Sequence, residues 1–169
     1  MADQFVAAIH LGCGPDAVAD MRAAATENGA MVIPVDVSQV TDRASLLSVL
    51  GRDFQFPAET GLDGAADYLS DPWWYGNEDG YLVVVTGLAE LLDAAPDTFE
   101  QFVDMLPSVV DRCRTAGLPY RVVLVGDGAV ADRAAEVISV ANETLAESAR
   151  TYPGLHDVQA APVIDHRSQ

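Results

Sequence analysis

The chain contains no lysine, so its nine strongly basic residues are all arginine. No Lys, Arg or His occurs between Asp53 and Asp111, although that stretch holds thirteen Asp and Glu. The formal net charge over the 169 residues is −17. Nucleic-acid phosphates and anionic membranes are bound by clustered cations. The composition therefore argues against both as direct partners and favours a cationic partner, which a one-sign field attracts.

Cysteines and long apolar runs are also scarce. Cys13 and Cys113 are too few for a disulfide scaffold and fit a reducing compartment, which predicts a cytoplasmic location. No apolar run approaches the ~20 residues of a membrane span. The first residues contain no basic region like that of a signal peptide. Hydrophobic residues nevertheless make up 50% of the chain, enough for a domain with its own core.

Four apolar runs separated by helical periodicity predict an α/β fold with a mostly parallel sheet. The runs cover residues 5–11, 30–37, 81–85 and 120–125. The helical pattern over residues 98–116 contains Pro107, which should kink or split that helix. A long amphipathic helix follows Gly128 and should end near Tyr152. Beyond residue 152 the sequence predicts a loose tail.

A short predicted helix after Phe56 and Pro57 carries two carboxylates on one face. Asp63 and Asp67 are four residues apart, so they should point outward together with Ser70. Thr60 is the expected N-cap. A solvated surface helix without any partner would show the same pattern. Acid–base catalysis is not expected, because His and Lys are missing nearby and no metal-binding or Ser/His/Asp arrangement is visible.

The order of these elements resembles the barstar family of ribonuclease inhibitors. The run of residues 61–71 aligns without a gap with the family's Asn-Leu-Asp-Ala-Leu-x-Asp-x-Leu run, and Trp73 or Trp74 is similar to the aromatic residue that commonly follows. Residues 32–37, 82–85 and 122–124 look like the family's three strands. The resemblance covers roughly residues 31–126. It implies a barstar-like three-layer fold with a small, mostly parallel sheet.

The resemblance also implies a site and a partner. Carboxylates of this helix in the family enter the active site of a basic ribonuclease, and Asp67 matches the central inhibitory aspartate with Asp63 as its companion. The remaining residues expected to contact the partner are Glu59, Thr60, Gly61, Ser70 and Asp71.

The chain departs from the family pattern in several places. The loop before Gly61 is shorter and lacks the usual aromatic pair, Gly61 replaces Asn, and Ala66 replaces a larger side chain. Arg112 and Ala116 stand where the best-known member has acidic contacts.

These observations predict a non-enzymatic protein without a cofactor that binds, and inhibits, a basic ribonuclease or toxin. We expect one domain over residues 1–152, with a core at 31–126, an N-terminal βα unit at 1–30, a C-terminal helix at 127–152 and a flexible tail at 153–169. A barstar-fold module that binds another cationic protein is one alternative. Another is a small AdoMet- or nucleotide-binding protein that uses the turn Gly12-Cys13-Gly14, with Asp36 holding the ribose.

Overall fold

A computed structural model of the chain describes residues 7–57, 60–71, 76, 79–152 and 158–168. Glu59, Trp73 and Trp74, three residues singled out in the sequence, lie outside that part. In the described residues, strands and helices largely alternate along the chain, and a 3-10 turn follows the last strand. The elements are β1 Ala8–Cys13, α1 Pro15–Glu27, β2 Met31–Asp36, α2 Arg43–Phe54, α3 Leu62–Leu69, β3 Tyr81–Thr86, α4 Leu88–Ala94, α5 Pro96–Thr115, β4 Tyr120–Val125, α6 Gly128–Thr151, β5 Val163–Asp165 and the 3-10 turn His166–Ser168.

The five strands form one sheet in the order β2-β3-β4-β1-β5, and every pair is parallel. The strands that resemble the family's three, β2, β3 and β4, are adjacent. The added strands β1 and β5 extend the sheet beyond β4 only. The prediction of an α/β fold with a largely parallel sheet is therefore confirmed.

Helices cover both faces of the sheet, which gives three layers. Alternate residues of β3 point to opposite faces: Val83 and Val85 join one apolar cluster, whereas Leu82 and Val84 join another. The smaller cluster is closed by Val18 and Ala25 of α1. The larger cluster receives the apolar faces of α2 to α6. Near-continuous aliphatic strands such as β3 are expected when both faces are covered.

Helix α5 runs without a break from Pro96 to Thr115, so the predicted split at Pro107 is wrong. Proline removes one backbone N–H from the helix ladder. Pro107 is buried, and Phe102, Val103 and Leu106 of the same helix lie in the larger apolar cluster. Packing of this helix against the sheet outweighs the missing hydrogen bond. None of the described helices is long and apolar enough to cross a membrane.

The C-terminal segment differs from the expected loose tail, because residues 158–168 dock on the sheet. β5 pairs with β1 through Ile9, His10 and Leu11. Asn142 of α6 clamps the approach to β5: its amide nitrogen donates to the carbonyl of Ala161 at 3.2 Å, and its side-chain oxygen accepts from the Ala161 N–H at 2.8 Å. The division of the chain into a core and two extensions stays a prediction.

Candidate functional site

Helix α3 begins one residue later than the sequence suggests. Gly61 is its N-cap and makes no side-chain capping bond, so the prediction of Thr60 as the cap is wrong. The methyl group of Thr60 lies over the first turn instead, where a Cβ added to Gly64 would meet it at 2.7 Å. Asp63 in the first turn still favours this end of the helix through the helix dipole.

Contacts on three sides hold α3 against the rest of the molecule. Ala65 and Leu69 are buried in the larger core cluster. The ring of Tyr68 stacks on Phe56 with a centroid distance of 5.2 Å, which connects α3 to the segment just after α2. The thiol of Cys113 on α5 donates to the carbonyl of Ser70 at 3.5 Å, and burial raises the pKa of that thiol to about 12. A helix held in this way presents its outer face in a defined orientation.

The outer face of α3 carries the two carboxylates that the sequence places together. Asp63 and Asp67 are both exposed, one turn apart. Asp67 also has an intramolecular partner that sequence analysis missed: Nη1 of Arg112 on α5 donates to its Oδ1 at 2.5 Å. The Asp67 side chain is 71% exposed and that of Arg112 is 49% exposed. The pair therefore lies at the surface, where solvent screens it.

Asp63, Asp67 and Arg112 line an open groove of about 490 Å³ between α3, α5 and α6. Three carboxylates and one guanidinium surround it, since Asp104 of α5 also faces the space. The apolar lining comes from all three helices: Ala66, Met105, Ala141 and Leu145. Such a groove suits a cationic side chain with an aliphatic stem.

The cation-free stretch from Asp53 to Asp111 is partly neutralised from outside. Among the described residues, arginines that precede or follow the stretch form ion pairs with at least four carboxylates inside it. The pairs are Arg52–Asp53, Arg112–Asp67, Arg114–Asp111 and Arg133–Glu100. Asp63 and Asp104 in the groove belong to none of these pairs, so the groove remains negative.

The other residues expected at the site lie around α3 in different environments. Ser70 is half-buried, and its hydroxyl donates to the carbonyls of Ala66 and Asp67 at 2.8 and 3.1 Å, so it supports the helix end. Asp71 and Gly61 are exposed, and Thr60 is half-buried. Glu59 lies outside the described residues. The structure thus brings Asp63 and Asp67 together but not Ser70 with them.

The alternative site at Gly12-Cys13-Gly14 fails on two geometric grounds. First, β1 and β2 are separated by β3 and β4, which puts Asp36 roughly 14 Å away across three strand spacings. Second, Arg167 of the C-terminal segment covers Gly12: a Cβ on Gly12 would meet Cγ of Arg167 at 2.5 Å. Arg167 is fixed there by Asp165 at 2.7 Å and Asp132 at 2.6 Å.

The fold and the site define an α/β protein that presents carboxylates of a packed helix beside an acidic groove. Its described residues contain no group of three or more His, Cys, Asp or Glu that could hold a metal ion. A family model for Barstar (barnase inhibitor) matches residues 30–125, more than half of the chain, so the chain belongs to this family. No curated protein and no solved structure matches it.

Family membership confirms two of the sequence predictions. The match covers almost the same residues, roughly 31–126, over which the sequence resembles the family, and the three-layer fold is barstar-like. Members of the family are inhibitors rather than enzymes, which confirms that the chain is not an enzyme. Membership also implies a ribonuclease-inhibitor-like role.

Sequence reasoning missed the part of the groove that α5 and α6 supply. Asp104, Ser108 and Arg112 are spaced four residues apart, so a helix over residues 98–116 places them on one face. This spacing could have indicated which residues of α5 line the groove. No sequence pattern pointed to Thr144 and Leu145, because their position depends on how α6 packs against α5.

Proposed function

We propose that this protein binds a basic ribonuclease, or a similarly cationic toxin, in a one-to-one complex and inhibits it with the carboxylates of α3. Asp67 is the energetic centre of the complex and Asp63 supports it. The observation that carries the proposal is the exposed pair Asp63 and Asp67, one turn apart on a fixed helix, inside the segment that matches the family.

Electrostatics explain why such a helix inhibits a nuclease. An RNA-cleaving site needs cations that bind phosphate, and a carboxylate in that position makes short charge-assisted hydrogen bonds to them. The net charge of −17 and the acidic groove raise the association rate with a basic partner. Glu59, Thr60, Gly61 and Asp71 are proposed to contact the partner at the rim, whereas Ser70 acts by closing the end of α3.

The test measures inhibition and affinity with barnase and with basic nucleases from the same cell. Asp67→Ala should weaken the complex by at least ~2 kcal/mol, about 30-fold, because a partner cation is left desolvated and unpaired. Asp63→Ala should weaken it less. Folding should change little, since Asp67 is 71% exposed and its ion pair is worth about 1 kcal/mol or less.

Asp93→Ala is the matched control. Asp93 is an exposed carboxylate of α4 in the same cation-free stretch, outside the groove. The Asp93→Ala substitution removes the same charge, and its main effect should be a slightly slower association. Equal losses for Asp93→Ala and Asp67→Ala would mean that only the overall charge matters. An Asp67-dependent complex with a cationic protein that is not a nuclease would establish the alternative, a barstar-fold module with another partner.

The departures from the family pattern predict a difference in target. The short loop at Ala58-Glu59-Thr60 and the small Ala66 remove contacts that typical members offer. We therefore expect barnase to bind more weakly than a nuclease from the same cell.

A further inference from the structure

We infer that Arg112 is an internal counter-ion that occupies Asp67 in the free protein and that a cationic partner must displace. This inference rests on the proposed function, since it concerns the same carboxylate. It makes Arg112 a residue that sets specificity: a partner binds only if its own cation competes successfully with the guanidinium already present.

The geometry of the pair shows why displacement is feasible. The contact between Nη1 of Arg112 and Oδ1 of Asp67 is a single N–O contact at 2.5 Å. A partner guanidinium can approach a carboxylate with two parallel N–H donors, and the forked arrangement is stronger and more specific. Both side chains are substantially exposed, 49% for Arg112 and 71% for Asp67, so a partner can reach them without opening the core.

Arg112 keeps other favourable electrostatic interactions when it leaves Asp67. It belongs to the last turn of α5, where a positive charge interacts favourably with the helix dipole. Asp63 and Asp104 line the same groove and can take part of its charge. The cost of displacement is thus the loss of one exposed ion pair rather than the burial of an unpaired cation.

The competing interpretation is that Arg112 positions Asp67 for the partner, and the two make opposite predictions. If Arg112 competes, its removal frees Asp67 and tightens cation binding. If Arg112 positions Asp67, or contacts an acidic group of the partner, its removal weakens binding.

The experiment has an arm that does not depend on any nuclease. Isotope-labelled wild type and Arg112→Gln are titrated with a tetra-arginine peptide, acetylated at its N-terminus and amidated at its C-terminus, and binding is followed at the backbone amides of α3. Arg112→Gln should bind the peptide about fivefold more tightly, which corresponds to about 1 kcal/mol at 1.4 kcal/mol per tenfold. The gain should vanish when Asp67→Asn is added.

Arg52→Gln is the matched control because it also breaks one exposed ion pair and also makes the net charge one unit more negative. Its titration should match wild type. Arg112→Lys keeps the charge but loses the planar donor geometry, so it should fall between wild type and Arg112→Gln; it also serves if the Gln variant folds poorly. Unchanged or weaker peptide binding by Arg112→Gln, relative to Arg52→Gln, overturns the inference.

The second arm repeats the comparison with barnase. A tighter complex with Arg112→Gln, again dependent on Asp67, supports both the inference and the proposed function. Suppose that neither barnase nor basic nucleases from the same cell bind wild type or any variant, while the peptide result holds. The proposed function then fails, and Arg112 remains a competitor for Asp67. If a nuclease depends on Asp67 but binds Arg112→Gln less tightly than wild type, the function stands and the inference is wrong.

Discussion

Acid should lower the free energy of unfolding through one buried histidine, His10, which lies where the C-terminal segment docks on the sheet. His10 of β1 is 5% exposed, and its Nδ1 lies 2.9 Å from Nε2 of His166. Burial, followed by the charges of His166 and Arg121, lowers the pKa of His10 from 6.5 to about 4. Nε2 of His10 has no hydrogen-bond partner among the described residues, so a proton added there would be a buried donor without an acceptor.

The sign of the effect follows from the lowered pKa. Well above pH 6.5 the imidazole is neutral in both the folded and the unfolded chain, so its titration does not lower the free energy of unfolding. As the pH falls from 6.5 towards about 4, the unfolded chain takes up the proton first and the free energy of unfolding decreases. The loss is about 2 kcal/mol by pH 5 and about 3 kcal/mol once both states are protonated.

Urea unfolding at pH 7, 6, 5 and 4.5 measures this loss in wild type and His10→Asn. The quantity of interest is the difference between the two free energies of unfolding at each pH. Carboxylates whose pKa is lowered by hydrogen bonds, such as Asp36 and Asp42, also make the free energy of unfolding fall in acid. This contribution is the same in both proteins, so it cancels in the difference. The advantage of wild type over His10→Asn should shrink by about 2 kcal/mol between pH 7 and pH 5.

Val123→Ala is the control for destabilisation as such. Val123 is the neighbour of His10 in the sheet and does not titrate. The difference in free energy of unfolding between Val123→Ala and wild type should therefore be the same at every pH. If His10→Asn also runs parallel to wild type, His10 does not titrate with a lowered pKa in the folded protein and the reasoning is refuted.

Three further predictions concern the acidic surface and the Gly12 turn. Thermal melts should move upward from low to moderate NaCl, because salt screens repulsion among the exposed carboxylates within ~8 Å at physiological strength; an unchanged or lower melting temperature would mean that pairs such as Arg133–Glu100 already compensate the charge. Titration calorimetry with AdoMet should give no heat of binding, because Arg167 fills the space over Gly12, and micromolar binding would contradict this assignment. Gly12→Ala should lower the free energy of unfolding by about 1–3 kcal/mol, since φ is +64° and the new Cβ meets Arg167, whereas Gly14→Ala, with nothing within 4 Å, should cost far less in the same urea titration.

Local patterns predicted much of the core and the exposed face of α3. Periodicity of 3.6 placed Ala65 and Leu69 inside and Asp63 and Asp67 outside, and the structure agrees. The aliphatic runs of β3 and β4 were recognised because strands covered on both faces have little polar interruption. These are properties of neighbouring residues, so they can be read without knowing the fold.

Contacts between distant residues account for what was missed. β5 has only three residues, and its pairing partner β1 lies about 150 positions earlier, so no alternation or turn signal marks it. The ion pair between Asp67 and Arg112 spans 45 positions and depends on how α3 packs on α5. The Thr60 cap failed for a related reason: its side chain packs on Gly64 rather than turning to the helix N–H groups.

The chain outside the family segment changes the surroundings of the candidate site. Helix α6 follows the matched residues 30–125, yet its Ala141, Thr144 and Leu145 form one wall of the groove that holds Asp63 and Asp67. A protein that approaches Asp67 therefore meets three helices. Arg112 lies inside the matched segment and lowers the negative charge of the same groove. Given the proposed function, the shape of the groove and the competition from Arg112 both narrow the set of cationic partners, and neither requires a change in the fold.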